Sequence, residues 1–182
     1  MSQVVKMRNE LGRNIVHLAV DDLGPKEEHA YRMVRVLMES LMKERSIQWV
    51  EVMLEQRDKV QGYTVLHLAA RRLFSHVVRL LIKVGAPVNA QDERGNTPLH
   101  CVLLAKPTAR QDKVLFEANR LETVKSLLSY PKCKLNVKNN AKQTPDMLIR
   151  AMNNAELSQV LRNLKKLQRD NAEHFKLPKL EN

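Results

Sequence analysis

The chain has 182 residues, 43% of them hydrophobic, enough to bury one sizeable core and to set the expectation at one domain. Aromatics at 4% suit helices stacked through small residues better than a β-sandwich. With 31 Lys and Arg against 20 Asp and Glu the net charge is +11, so acidic proteins and nucleic acid both enter as partners. The two cysteines, Cys101 and Cys133, are distant in sequence and read as thiols rather than a disulfide. MSQVVKMRNE has no apolar core of a signal peptide, and no apolar run reaches the ~18 residues of a membrane span. A chain of the cytoplasm, the nucleus or both, with no membrane partner, is expected.

In chain order, Gly12-Arg13-Asn14-Ile15-Val16-His17-Leu18-Ala19 opens a short apolar helix with Asn14 as its N-cap. Asp21-Asp22-Leu23-Gly24-Pro25 breaks it. Ala30, Val34, Leu37, Met38 and Leu41 mark an amphipathic helix from Glu27 to Lys43, and Ile47, Val50, Met53 and Leu54 a shorter one. The first of these is favoured as the partner of the opening helix. Gly62-Tyr63-Thr64-Val65-Leu66-His67 repeats the opening; Leu66, Leu68, Ala69 and Ala70 suit a short buried helix, and Val77, Val78, Leu80, Leu81 and Val84 a second. Gly85 follows, where a helix C-cap takes positive φ.

Gly95-Asn96-Thr97-Pro98-Leu99-His100 is the next copy, 33 residues on, with Thr97 as N-cap and Pro98 at the first helical position. His17 precedes His67 by 50 residues, so the first copy carries an insertion of 17. Leu127 follows His100 by 27 residues, whereas Leu80 follows His67 by 13; the 14 extra residues fall between two helices, as a loop around Thr108–Asn119. A fourth copy keeps Gln143-Thr144-Pro145 but has Lys142 for Gly, Asp146 for Leu and Met147 for His. A non-Gly residue is unfavourable at positive φ, so this turn is expected to rearrange. Leu157, Val160, Leu161 and Leu164 give a last stripe, and Lys165, Lys166 and Arg169 expose a polar end of the kind that caps a repeat stack.

The unit of turn, short helix, turn, longer helix and extended loop resembles the ankyrin repeat. Asp92-Glu93-Arg94-Gly95-Asn96-Thr97-Pro98-Leu99-His100 follows the start of that family's consensus nearly letter for letter, and Ser75-His76, Val78, Leu80-Leu81, Gly85-Ala86 and Asn89 follow the rest. The resemblance implies an all-α solenoid of about four helix-turn-helix repeats with two insertions, over residues 7–167; residues 168–182 carry no periodicity and are expected to form a loose C-terminal tail. It also implies that His17, His67 and His100 each hydrogen-bond the start of a helix. Equivalent residues lie one repeat apart along a stack, so the three do not converge on a metal.

Catalysis finds no support. GxSxG, P-loop, HExxH and dinucleotide-binding glycine patterns are absent, and Cys101 and His100, being adjacent on a helix, point to different faces. No enzyme, cofactor or metal site is expected. What remains is a surface. Members of the family bind through the fingertips and the exposed side of the inner helices. Carried over, these are Arg13, Tyr63, Glu93, Arg94 and Asn96 at the fingertips, with Asp21, Asp22, Arg71 and Arg72 after the inner helices. An acidic pair in one repeat followed by a basic pair in the next would orient a partner electrostatically. The insertions around Gly24 and Thr108–Asn119 are further contact candidates.

The positive excess falls in residues 61–182, yet its Lys and Arg are dispersed and few aromatics are present for base stacking. Another protein is therefore the expected partner, ahead of nucleic acid. The expected role is a non-catalytic inhibitor or regulatory subunit, monomeric without its partner, by analogy with ankyrin inhibitors of cell-cycle kinases. An inhibitor of a Rel-type transcription factor is the alternative within the family, although no DSGxxS motif is present and the C-terminal part is basic. A nucleic-acid-associated adaptor is the alternative outside it.

Overall fold

The computed structural model describes residues 7–21, 26–43, 47–109 and 111–163. The first insertion's Asp22 and Gly24, and Leu164, Lys165, Lys166, Arg169 and the tail at 168–182, lie outside them. Among the described residues all regular structure is helical. The helices are α1 (Ile15–Asp21), α2 (Glu27–Lys43), α3 (Ile47–Glu55), α4 (Val65–Arg71), α5 (Ser75–Lys83), α6 (Pro98–Leu104), α7 (Lys113–Leu128) and α8 (Pro145–Ala151), followed by α9 at residues 155–163.

Two rows result. The inner helices α1, α4, α6 and α8 pack each on the next, and the outer helices α2, α5 and α7 do the same. The α1–α2, α4–α5 and α6–α7 contacts close the repeats. Thus α2 is the outer helix of the first repeat, as its stripe predicts, and α3 is the inserted piece, seated on α2 and α4 through Val50, Met53 and Leu54. The core lies between the rows, where Leu66, Leu68, Leu81, Leu99 and Leu127 are almost fully buried.

The second insertion corrects the sequence reading. Residues Lys113–Asn119 are not loop but the first two turns of α7, started by Asp112, whose carboxylate accepts from the Val114 and Leu115 N–H at 2.7 and 3.0 Å. Val114 and Leu115 are 80% and 61% exposed, so this extension carries no apolar stripe to betray it.

A buried histidine fastens each of the first three repeats to the one that follows. In the second repeat the Thr64 N–H donates to His67 Nδ1 at 3.2 Å, which leaves Nε2 to donate to the Asn96 carbonyl at 3.0 Å. His100 does likewise between Thr97 and the Gln143 carbonyl, each at 3.1 Å. His17 differs because Asn14 replaces Thr. Its Nδ1 lies 2.8 Å from Asn14 Oδ1 and its Nε2 3.1 Å from the Tyr63 carbonyl, two acceptors for one proton in the neutral ring. Asn14 still caps α1 by accepting from the Val16 and His17 N–H, both at 3.0 Å, and its amide holds α3 through the Met53 carbonyl at 2.8 Å.

The fingers between repeats also interlock. Lys59 N–H donates to the Leu11 carbonyl at 2.8 Å, Glu93 N–H to Gln61 at 3.0 Å and Asn140 N–H to Arg94 at 2.9 Å. Gly95 is required twice over in this arrangement: its φ is +73°, and a Cβ there would meet Asn140 Oδ1 at 2.7 Å. The fourth repeat keeps the same turn in spite of Lys142, which holds φ at +62° and donates its N–H to the Asn139 carbonyl at 2.9 Å. The expected rearrangement therefore does not occur. The Lys142 side chain is exposed, so only the backbone strain remains. Lys142→Gly is expected to stabilise the protein by about 0.5–1 kcal/mol, less than the whole left-handed penalty because glycine gains freedom when unfolded. Urea denaturation reads this directly, and a lower midpoint would show that the turn is not strained.

Candidate partner-binding face

The inner helices end on one side of the stack, and the residues just beyond them border a groove of about 790 Å³. Its floor includes Leu68, Cys101, Leu104 and Phe116, with Leu104 41% exposed. Arg71, Arg94 and Lys106 stand around it and are exposed. Their backbones come from the last residue of α4, the finger before α6 and the loop after α6.

Not every residue carried over from the resemblance is displayed. Arg13 and Asp21 pair at 2.6 Å, and Arg13 also reaches the buried Asp58 carboxylate at 3.3 Å. Arg72 pairs with the other Asp21 oxygen at 2.9 Å, donates to the Asp21 carbonyl at 2.5 Å, and lies over the Phe74 ring. Asp21 thus sits between two guanidinium groups and Arg13 between two carboxylates. This network joins the first two repeats, and it answers the charge of Asp21 within the protein. Asp22 lies outside the described residues.

Burial alone would raise the Asp58 carboxyl, but hydrogen bonds from the Gln61 and Tyr63 N–H and from Arg13 outweigh it and hold the group below its ordinary range. Asp58 is the residue that sequence reasoning missed. The available signal was its place a few residues before Gly62, where Asp92 stands before Gly95. Both carboxylates brace a finger: Asp58 Oδ1 accepts from the Gln61 and Tyr63 N–H, both at 3.0 Å, and Asp92 Oδ1 from the Arg94 and Asn96 N–H at 2.8 and 2.7 Å.

Tyr63 and Asn96 are 7% and 9% exposed, so they build the fingers more than they present them. The Tyr63 ring stacks on His67 with 5.7 Å between centroids, and burial pushes its hydroxyl pKa up. Asn96 donates to Asp92 at 3.2 Å and accepts from Asn139 at 3.0 Å. Glu93 is exposed and lies against Gly62. Arg71 keeps its guanidinium 5.9 Å from the Tyr63 centroid. Of the expected contact residues that the structure describes, Arg71, Glu93 and Arg94 are the exposed ones, and Asp21, Tyr63, Arg71, Arg72, Arg94 and Asn96 all line the groove.

Both cysteines are buried. Burial pushes both the Cys101 and the Cys133 thiol up to about 12, so neither forms thiolate near neutral pH. His67 and His100 are hydrogen-bonded at both ring nitrogens, and His17 is enclosed between Asn14 Oδ1 and the Tyr63 carbonyl. Among the described residues no helix is long and apolar enough to cross a membrane.

A stack of paired helices, interlocked fingers and a groove along the inner helices defines a helical-repeat binding scaffold. A family profile described as Ankyrin repeats (3 copies) matches residues 17–110. The chain belongs to the ankyrin-repeat family and is a protein–protein interaction module. It is 35% identical over 91 residues to Rabankyrin-5 of Mus musculus and 36% identical over the same length to Rabankyrin-5 of Homo sapiens. Each of these matches takes in 50% of this chain but 6% of the relative. An ankyrin repeat protein of Rickettsia bellii (strain RML369-C) is 34% identical over 67 residues, covering 37% of this chain and 28% of that protein.

Proposed function

We propose that this chain is a non-catalytic inhibitor or regulatory subunit that masks or clamps one partner protein, with a cell-cycle kinase complex as the leading class of partner. The groove beside the inner helices carries the reading: it is about 790 Å³, apolar at its floor and ringed by charged side chains that can set orientation. The buried histidines, cysteines and Asp58, which would otherwise be the candidates for chemistry, are all explained by the stack. A Rel-type transcription factor is the second partner class.

Affinity purification of the tagged protein from its own cells, at moderate and at high salt and followed by mass spectrometry, tests the proposal. The expected result is one stoichiometric protein that survives high salt and whose activity changes when the purified chain is added back. Recovery of only nucleic-acid-associated proteins, lost on nuclease treatment, would favour the adaptor and overturn the regulatory subunit.

A further inference from the structure

Resting on the binding-module reading, we infer that the groove takes an acidic segment of the partner, one that carries several carboxylates and an apolar side chain. Asp21, the one member of the expected acidic pair among the described residues, also lines the groove, but its charge is answered internally by both Arg13 and Arg72. The cations around the groove are treated differently. Among the described residues, Arg71, Arg94 and Lys106 have no anionic partner, and they approach the groove from three separate elements. Arg71 rests only on the face of Tyr63. A volume of about 790 Å³ is far larger than one small anion needs and suits several side chains of a segment.

The floor decides the rest. Leu104 is 41% exposed beside Cys101 and Phe116, so an occupant made of charge alone would leave apolar surface uncovered. Nucleic acid fits less well, since the groove's aromatics are committed elsewhere: Tyr63 is stacked on His67, Phe74 lies under Arg72, and Phe116 is 7% exposed. Guanidinium groups bind carboxylates through paired donors, which gives register as well as attraction.

The test pans a phage-displayed library of short random peptides on three forms of the full chain. One is wild type, one carries Arg71→Glu, Arg94→Glu and Lys106→Glu, and one carries Lys83→Glu, Lys113→Glu and Lys138→Glu. The two variants change net charge equally, so only position differs, and circular dichroism melts confirm that each is folded. Wild type and the second variant are expected to enrich peptides with Asp and Glu around an apolar residue. The groove variant should bind the selected peptides about tenfold more weakly or worse, by fluorescence anisotropy. Equal binding by the groove variant, selection of peptides without acidic residues, or no enrichment at all would each overturn the inference. So would a tighter, groove-dependent affinity for a single-stranded oligonucleotide. If the groove variant still captures in cells the protein that wild type captures, the acidic segment fails while the binding module stands; if neither captures one, both fail together.

Discussion

Leu99→Ala is expected to destabilise the protein by about 2–5 kcal/mol, lowering the melting temperature by roughly 4–20 °C for a chain of this size. Leu99 is 1% exposed and sits near the start of α6, the inner helix that packs on α4, α7 and α8. Three helices converge on α6 and each is tied to other elements, so the site has little freedom to collapse around a smaller side chain. The transfer loss and the cavity loss then add. Thermal melts followed by circular dichroism give the answer, and a midpoint unchanged from wild type would contradict the packing of α6.

The second large effect is one of pH. Burial lowers the His67 pKa to about 4, and lowers those of His17 and His100 as well. In the unfolded chain each takes a proton near pH 6.5. As the pH falls from about 6.5 to 4, the unfolded state binds protons that the folded state refuses, so stability declines with falling pH across that window. For His67 the difference of about 2.5 units corresponds to about 3 kcal/mol, fully present above pH 6.5 and lost by about pH 4. His17 is lowered by the same burial, against the Tyr63 carbonyl and Asp58, which favour its charged form. Asp58 adds a separate loss at lower pH, as its depressed carboxyl becomes protonated. Urea midpoints at about pH 7, 5.5 and 4.5 should fall steadily, and the decline should shrink in His67→Gln, which lacks the titrating ring. A flat profile would mean that the ring is not held neutral between Thr64 and Asn96.

Much of this fold was legible because each consensus letter has a local task. Gly at positive φ, Thr or Asn at the N-cap, Pro at the first helical position and His reaching forward all leave marks within a few residues. The apolar stripe of α2 likewise favoured it as the outer helix of the first repeat, where the structure places it. What stayed hidden depended on distant neighbours. The extension of α7 shows Val114 and Leu115 to solvent, which erases the helical pattern. The turn at Lys142 keeps its shape because that side chain is exposed, unlike the close approach at Gly95. At the candidate site, the bonds from Arg13 to Asp58 and from Arg72 to Asp21 span 45 and 51 residues, so the sequence displayed four charged residues without showing that they neutralise one another.

The forward reach of the histidines sets a timetable for the nascent chain. His67 finds its acceptor 29 residues later, whereas His17 waits 46 and His100 waits 43, because an insertion intervenes in each case. At about 5–20 residues per second, translation leaves His17 without the Tyr63 carbonyl for about 2–9 s. During that interval the first repeat exists only provisionally, and the same delay recurs at the third. Synthesis therefore completes this stack in arrears, each repeat becoming final when its successor emerges, and the two insertions mark the places where the growing chain stays open longest.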